Sequence, residues 1–515
     1  MFTYSDFNHG KTTQNAVEES LLVAPISSDY RVYAKGEEIP VYSCRISSYP
    51  FNIWWMGRQR PLEQSESASY INLIGDEEIT LTIEAKKPHS RVLVKPYNKG
   101  ILANEENGII SVTLKTTGQY VLELDDYHGL LYIFYSKPIE CKKPEEITHY
   151  FGPGIHYPRQ IQLKSGDKVY IDKDALVYGC FLAHDCCDIE IFGNGILDDS
   201  GEERFAAPCY TDFTVGNIKF YDCKNLTIRG VGMTNSAIWC LNLFHCFNVE
   251  VDDIKIFGQW RYNTDGIDIV NSQNIFIRNS FIHSFDDTIT IKGILRYCQT
   301  PNKNIHTENC ILWCDWGKTC ELGIETACLE YENISFSNCD LLRAGNTACD
   351  IANGYTAFVH NIRFENIRIE MNAFDTAEEL QFSYESNYTK QNTPSIPAIL
   401  RIINFPYEGT TNSYSIRSGD QTSERTAWVS DILCRQITVY YDDGLPKNDG
   451  NPILNIHLEN TRPGAEYENI RIENITCMPV PCAENTSPVA TPVPFEGITW
   501  HIKNLREDAF TFSKS

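Results

Sequence analysis

The chain has 515 residues, 42% hydrophobic and 12% aromatic, and its 44 Lys and Arg against 68 Asp and Glu leave a net charge of −24. A field of that sign repels nucleic acid, anionic membrane and polyanionic ligands, so a neutral ligand, or a small one in a local basic pocket, fits better. No run of about 18 apolar residues exists to cross a bilayer, and the opening MFTYSDFNHGKTTQNAVEES has no basic start followed by an apolar core, so a cytoplasmic location is expected (secreted if a leader has been removed).

Residues 25–140 read as short alternating runs, VLVKPYN, IISVTLKTT, GQYVLELDD and LLYIFYSKP, broken by Gly, Asn or Asp turns. Their spacing predicts a β-sandwich, assigned to residues 1–145. The Pro- and charge-rich segment KPIECKKPEEITHY then leads into a second domain, 146–515. There an internal repeat begins, Asn followed by alternating apolar residues: CKNLTIRG, CFNVEVDD, SQNIFIRN, NKNIHTEN, YENISFSN, VHNIRFEN. The asparagines fall at 225, 248, 274, 304, 333 and 361, steps of 23, 26, 30, 29 and 28, with no helix-length 3.6-residue periodicity between them. Repeats of that length built on period-two strands predict the coils of a parallel β-helix. Asn at a recurring turn tolerates left-handed backbone, and its amide can bond to the next coil. The fold class expected is therefore all-β, a right-handed parallel β-helix preceded by a small β-sandwich domain. Residues 371–428 break the period and are expected to form one long excursion, a lid or a homo-oligomer contact. The 19 cysteines are scattered without zinc-type spacing, which predicts reduced thiols filling small core positions, no metal and no cofactor.

Within the repeat, NTDGIDIVNSQNIFIRNSFIHSFDDTITI carries a lone acid and an acid pair. Asp265-Gly-Ile-Asp-Ile and Asp287-Thr-Ile-Thr-Ile overlay at a separation of 22 residues, one coil, so Asp265 and Asp287 should stack with Asp286 alongside. Three carboxylates in one patch, buried or half-buried, cannot all ionise freely, and at least one pKa should rise. A protonated carboxyl beside ionised ones is what acid/base hydrolysis of a glycosidic bond requires. Strict alternation with Ile289 and Ile291 inward puts Asp286, Thr288, Thr290 and Lys292 outward but turns Asp265 and Asp287 inward, unless the chain bends before each strand, as Gly266 would permit.

The pattern NS..W.L at Asn235–Leu241, then NTDG at 263–266, then DD..TIK at 286–292, resembles the polygalacturonase-like clan of β-helix glycosidases, glycoside hydrolase family 28 and its relatives, over residues 148–370. The N-terminal sandwich is similar to that of the dextranase and isopullulanase family. The resemblance implies an inverting glycoside hydrolase with Asp286 as general acid, Asp265 and Asp287 activating the water, and Lys292 contacting substrate. The Gly-His-Gly and Arg-Ile-Lys segments of polygalacturonases have no counterpart; the coil after the acid pair reads LWCDWGKTCELGIET, offering Trp313, Asp315, Trp316, Lys318, Glu321 and Glu325. Trp stacks on sugar faces and carboxylates accept from hydroxyls, which suits a neutral glycan over a polyuronate, with exo action on short oligosaccharides a further expectation. Asn263 is expected to orient Asp265 or a substrate hydroxyl, and Trp260, Arg261 and His283 to line the cleft; with Trp316, Glu321 and Glu325 they complete the predicted substrate contacts. The other readings are a polysaccharide lyase or epimerase, which would need more cations at the site, and a non-catalytic carbohydrate-binding solenoid, which would need no stacked acids.

Overall fold

The computed structural model describes residues 2–10, 24–47, 62, 65–204, 212, 214–371, 379–381, 388–390, 396–406, 426–441, 447–448, 451–480 and 490–513. The N-terminal part is two sheets face to face. One has five strands, among them Tyr30–Ala34, Ile79–Ala85 and Ile109–Leu114; the other has six, among them Ser65–Ile74, Gly118–Leu124 and Asp126–Ser136. Alternation explains the pairing. In Ile79–Ala85, Ile79, Leu81 and Ile83 are buried and Thr80 is exposed. These side chains meet Ile71, Leu73, Leu122 and Leu131 of the opposite sheet in one apolar layer.

The six-stranded sheet is buried on its other face too, which is why LLYIFY reads as a continuous apolar run. Tyr42, Tyr70, Tyr132 and Phe134 pack there against Phe257, Phe281 and Trp313 of the second domain. Ring pairs such as Phe134–Phe257 at 4.9 Å and Tyr132–Phe281 at 5.6 Å join the two parts.

Among the described residues from His149 to Ser513, 30 hydrogen-bonded strands build a β-helix whose strands run parallel, apart from the antiparallel pairing of Thr491–Pro492 with Glu466–Pro479. A coil places one short strand on each of three sheets: Ile267–Val270, Gln273–Arg278 and Phe281–Ser284 form one turn of the solenoid, and Ile289–Gly293, Asn302–Glu308 and Ile311–Cys314 the next. On the first sheet Leu243, Ile269, Ile291, Leu322 and Ile351 stack in register and point into the core. The alternate positions, Lys219, Asn242, Asp268, Thr290, Glu321, Asp350 and Arg401, stack on the outer face. Thirteen of the seventeen described cysteines are buried, Cys223, Cys246, Cys310, Cys339 and Cys349 among them in the coil core.

The repeat asparagines form a ladder. Asn225, Asn248, Asn274, Asn304, Asn333 and Asn361 all have φ between 53° and 58°. Each later amide donates from Nδ2 to Oδ1 of the asparagine one coil before, at 3.1, 2.9, 2.9, 2.9 and 3.4 Å. The left-handed turn needs Asn, and the ladder then follows from the coil spacing.

The 371–428 stretch is not one excursion. Ala398–Asn404 is a regular first-sheet strand, paired with Thr347–Asn353 on one side and with Leu454–Asn460 on the other. Glu379–Gln381 and Tyr388–Lys390 pair antiparallel, Met371 ends the strand Phe358–Met371, and the remainder of the expected insertion, apart from residues 396–397, 405–406 and 426–428, lies outside the described residues. Among the described residues no helix is long and apolar enough to cross a membrane.

Candidate active site

The acid pair sits where the chain passes from the third sheet to the first. Phe281–Ser284 ends, residues 285–288 turn, and Ile289–Gly293 begins. The chain bends there, so alternation along the strand does not govern Asp286 and Asp287. Ile267 pairs with Ile289, and the Gly266 N–H donates to the Asp287 carbonyl at 2.8 Å, so Asp265 and Asp287 occupy equivalent places on adjacent coils. Gly266 is required by contact: a Cβ there would lie 2.4 Å from the Thr288 carbonyl oxygen.

Lys292 lies on the outer face of the same strand, and its Nζ stands 3.4 Å from Asp287 Oδ2, 3.7 Å from Asp265 Oδ2, 3.6 Å from Asp268 Oδ1 and 4.0 Å from Glu325 Oε2. Two acids on successive coils thus share one ammonium. Lys318 Nζ lies 3.4 Å from Asp287 Oδ1 and 3.1 Å from Glu321 Oε1, and the Lys318 N–H donates to Asp287 Oδ1 at 2.9 Å. Asp286 accepts from the Asn263 amide at 3.1 Å and from the Asp287 N–H at 3.1 Å. Asn263 is itself held by Arg204, whose Nη1 donates to Asn263 Oδ1 at 2.6 Å. Asp265, Asp286 and Asp287 are 2%, 7% and 6% exposed, on the face of the sheet away from the aliphatic core.

These surroundings split the carboxyls. Burial, then the charge of Asp287, pushes Asp286 up to about 7. Burial also acts on Asp287, but Lys318 and Lys292 outweigh it and hold that carboxyl well below the usual range. Burial raises Asp265 and Asp268, and Asp265 is raised further by Asp268 and Asp286. Glu321 is raised by burial and then by Asp287. Asp286 therefore carries a proton at mildly acidic pH beside an ionised Asp287, the division of roles that general acid catalysis needs.

The other predicted contacts divide. Asn263, Lys292, Glu321 and Glu325 belong to the charge network. Glu321 is fully buried, and its Oε2 accepts from Thr290 Oγ1 at 2.9 Å, so it supports the floor and does not reach a ligand. Trp316 stands beside Asp286 with Phe285 and Tyr262, each ring centroid 5.6 Å from its own, forming an aromatic wall. Trp260 is buried, its indole N–H directed to Asn235 Oδ1 at 3.3 Å; Arg261 donates to the Glu202 and Ser200 carbonyls at 2.6 and 3.2 Å. Both brace the loop behind the wall, and neither turns its polar group to the site.

His283 is corrected outright. It is a strand residue, fully buried, with Nδ1 bonded to Tyr132 Oη at 2.6 Å, Nε2 to Asp315 Oδ1 at 3.1 Å and its ring 4.2 Å from that of Trp313. It lies beneath the N-terminal domain, as does Trp313, and cannot touch a substrate.

Asp268 and Arg204 were missed from sequence. Asp268 carried a usable signal, since it pairs with Thr290, already assigned outward by alternation. Arg204 carried none, because it lies 59 residues from Asn263 in a loop without pattern. Glu330, Glu332 and His360 bring ligand atoms within 4.8 Å of one another on the second sheet, apart from the acids, and Lys303 already pairs with Glu332 there.

Residues 167–413 match the model of glycosyl hydrolases family 28. The probable rhamnogalacturonase A of Aspergillus oryzae is 24% identical over 228 residues, 42% of this chain and 46% of that protein. Rhamnogalacturonase A of Emericella nidulans is 26% identical over 224 residues, 42% of each. The chain thus spans less than half the length of these curated relatives. Dex49A from Penicillium minioluteum superposes with a TM-score of 0.56 at 14% identity over 99% of this chain and 94% of that one, so the shared fold includes the N-terminal domain as well as the solenoid. The paired acids lie inside the segment, residues 167–413, that matches glycosyl hydrolases family 28, and the chain is thus similar over just under half of its length to that family of parallel β-helix glycosidases.

Proposed function

We propose that the protein hydrolyses a glycosidic bond with inversion, Asp286 acting as general acid and Asp287 with Asp265 as the water-activating pair. One observation carries the reading: among the described residues Asp286 receives neutral donors, while Asp287 beside it lies between two ammonium groups, so the proton of the pair is favoured on Asp286. In the reaction Asp286 gives its proton to the bridging oxygen as the bond to the anomeric carbon breaks. Water attacks that carbon from the opposite face and passes its proton to the Asp287/Asp265 side, so one acid is deprotonated, another protonated, and the site must exchange one proton before the next turnover. Inversion follows from the resemblance to the clan.

The cations around the acids are already matched: Lys292 by four carboxylates, Lys318 by two, and Arg401 by a bidentate pair to Asp350 at 2.7 and 2.8 Å. That balance disfavours a uronate carboxylate at the scissile position and favours a neutral ring against Trp316 and Tyr262. Relatives named rhamnogalacturonases support a pectin-related oligosaccharide that presents such a ring there.

The experiment is a panel of pectic and neutral oligosaccharides incubated with the wild type and with Asp286→Asn, the first-formed anomer being read by proton NMR. The wild type should release the inverted anomer, and the variant should lose about 10²–10⁴-fold in kcat. A retained anomer overturns the mechanism, and an unimpaired variant overturns the assignment of the acid.

A further inference from the structure

Asp286 and Asp287 are chemically identical neighbours, yet the structure treats them oppositely. The donors on Asp286, among the described residues, are neutral amides. Asp287 has an ammonium at each oxygen, Lys292 Nζ 3.4 Å from Oδ2 and Lys318 Nζ 3.4 Å from Oδ1. Lys292 cannot by itself make the distinction, because its charge is divided among Asp265, Asp268, Asp287 and Glu325. Among the described residues the ammonium of Lys318 pairs within 4 Å with two acids, Asp287 and Glu321, while Asp286 and Asp350 act on it from farther away, and Lys318 also adds a backbone N–H, at 2.9 Å, to the same oxygen its ammonium approaches.

The position is built. Gly317 lets the chain run against the pair: a Cβ there would lie 2.4 Å from Asp287 Oδ1 and 2.7 Å from Asp286 Oδ1. From below, Glu321 holds the Lys318 ammonium at 3.1 Å and is itself fixed by Thr290 at 2.9 Å. The other charged groups facing this set are Asp265, Asp268 and Lys292 on the preceding coils and Glu325 on the strand of Lys318. Beyond them lie Asp350, closed off by Arg401, and on the loop side Arg204, engaged through Asn263, beside Tyr262.

We propose that Lys318 is a positioning residue of this site: its ammonium and its backbone amide together hold Asp287 as the ionised water acceptor and leave the proton of the pair on Asp286. The consequence for catalysis rests on the hydrolase reading above; the charge assignment rests on the contacts alone. An ammonium in direct contact shifts a carboxyl midpoint by roughly one to three units. Lys318→Met should therefore raise the Asp287 midpoint by roughly that amount, whereas Lys318→Arg, which keeps the charge, should leave it in place.

Infrared titration of protein carrying carboxyl-13C aspartate reads this without substrate, with Asp287→Asn supplying the difference spectrum that identifies the band. Where a cleaved glycan is in hand, the acid limb of kcat/KM should move upward with the same midpoint in Lys318→Met and return in Lys318→Arg. Should Met prevent folding, Lys318→Gln keeps a stem and a neutral donor and is expected to show the same upward shift. An Asp287 band that titrates identically in folded Lys318→Met or Lys318→Gln and in wild type overturns the proposal and leaves the hydrolase reading standing. Failure to cleave any glycan overturns that reading and leaves the titration result intact.

Discussion

At the level of single residues, the site works by unequal treatment of like groups, and its pH dependence has a definite sign. Asp286 is raised to about 7 in the folded chain, above its unfolded value near 4. Activity that needs its proton should fall as pH rises through about 7, a limb visible in kcat/KM against pH. The same proton stabilises the fold fully below about pH 4, and that contribution is lost as pH climbs through the folded midpoint. Gly317 gives a sharper test. Gly317→Ala adds one methyl within 2.4 Å of Asp287 Oδ1 and 2.6 Å of the Asp287 amide nitrogen, so the pair must move. A displacement of that kind should lower kcat by roughly 100-fold in steady-state kinetics. The overlay of Asp265 on Asp287 was legible because both precede Ile-x-Ile strands; the asymmetry between Asp286 and Asp287 was not, because Lys318 reaches Asp287 across 31 residues.

At the level of the element, the asparagine ladder shows how a sequence repeat becomes a structural one. Asn304 holds φ at 55°, donates to Asn274 and accepts from Asn333, each at 2.9 Å. Asn304→Ala loses both bonds and leaves a methyl-bearing residue in a left-handed turn, so a loss of about 2–3 kcal/mol is expected in urea unfolding. Asn304→Gly relieves the turn and should lose only about 1 kcal/mol, for the bonds. The ladder was readable because each rung is fixed by its own few residues and recurs every 23 to 30 positions. The split of the expected insertion was not, since Ala398–Asn404 lies among polar stretches and reveals itself only by pairing with Thr347–Asn353.

Across the whole molecule, the N-terminal sandwich and the solenoid are joined by chemistry that no local pattern announces. Tyr132 meets His283 from 151 residues away, which is why the sequence placed His283 in the cleft and not beneath the N-terminal domain. A second tie is ionic: Lys95, fully buried, has its Nζ 3.2 Å from Glu123 Oε2 and 3.7 Å from Glu370 Oε2, and the Tyr97 N–H donates to Glu370 Oε1 at 2.7 Å. Burial raises Glu370 to about 8 against the pull of Lys95, so its contribution to stability is complete below about pH 4 and fades as pH rises through about 8. Lys95→Met strands both acids and should cost about 3–5 kcal/mol in urea unfolding at alkaline pH, where Glu370 would have to ionise unaided. The aromatic seam beside this tie has a practical corollary. A truncated chain beginning at the solenoid would expose Phe257, Phe281 and Trp313 as an oily stripe along one flank, and would leave the floor under the acid turn without its backing. The two modules are accordingly not separable parts, and excising one should deliver aggregate in place of a smaller enzyme.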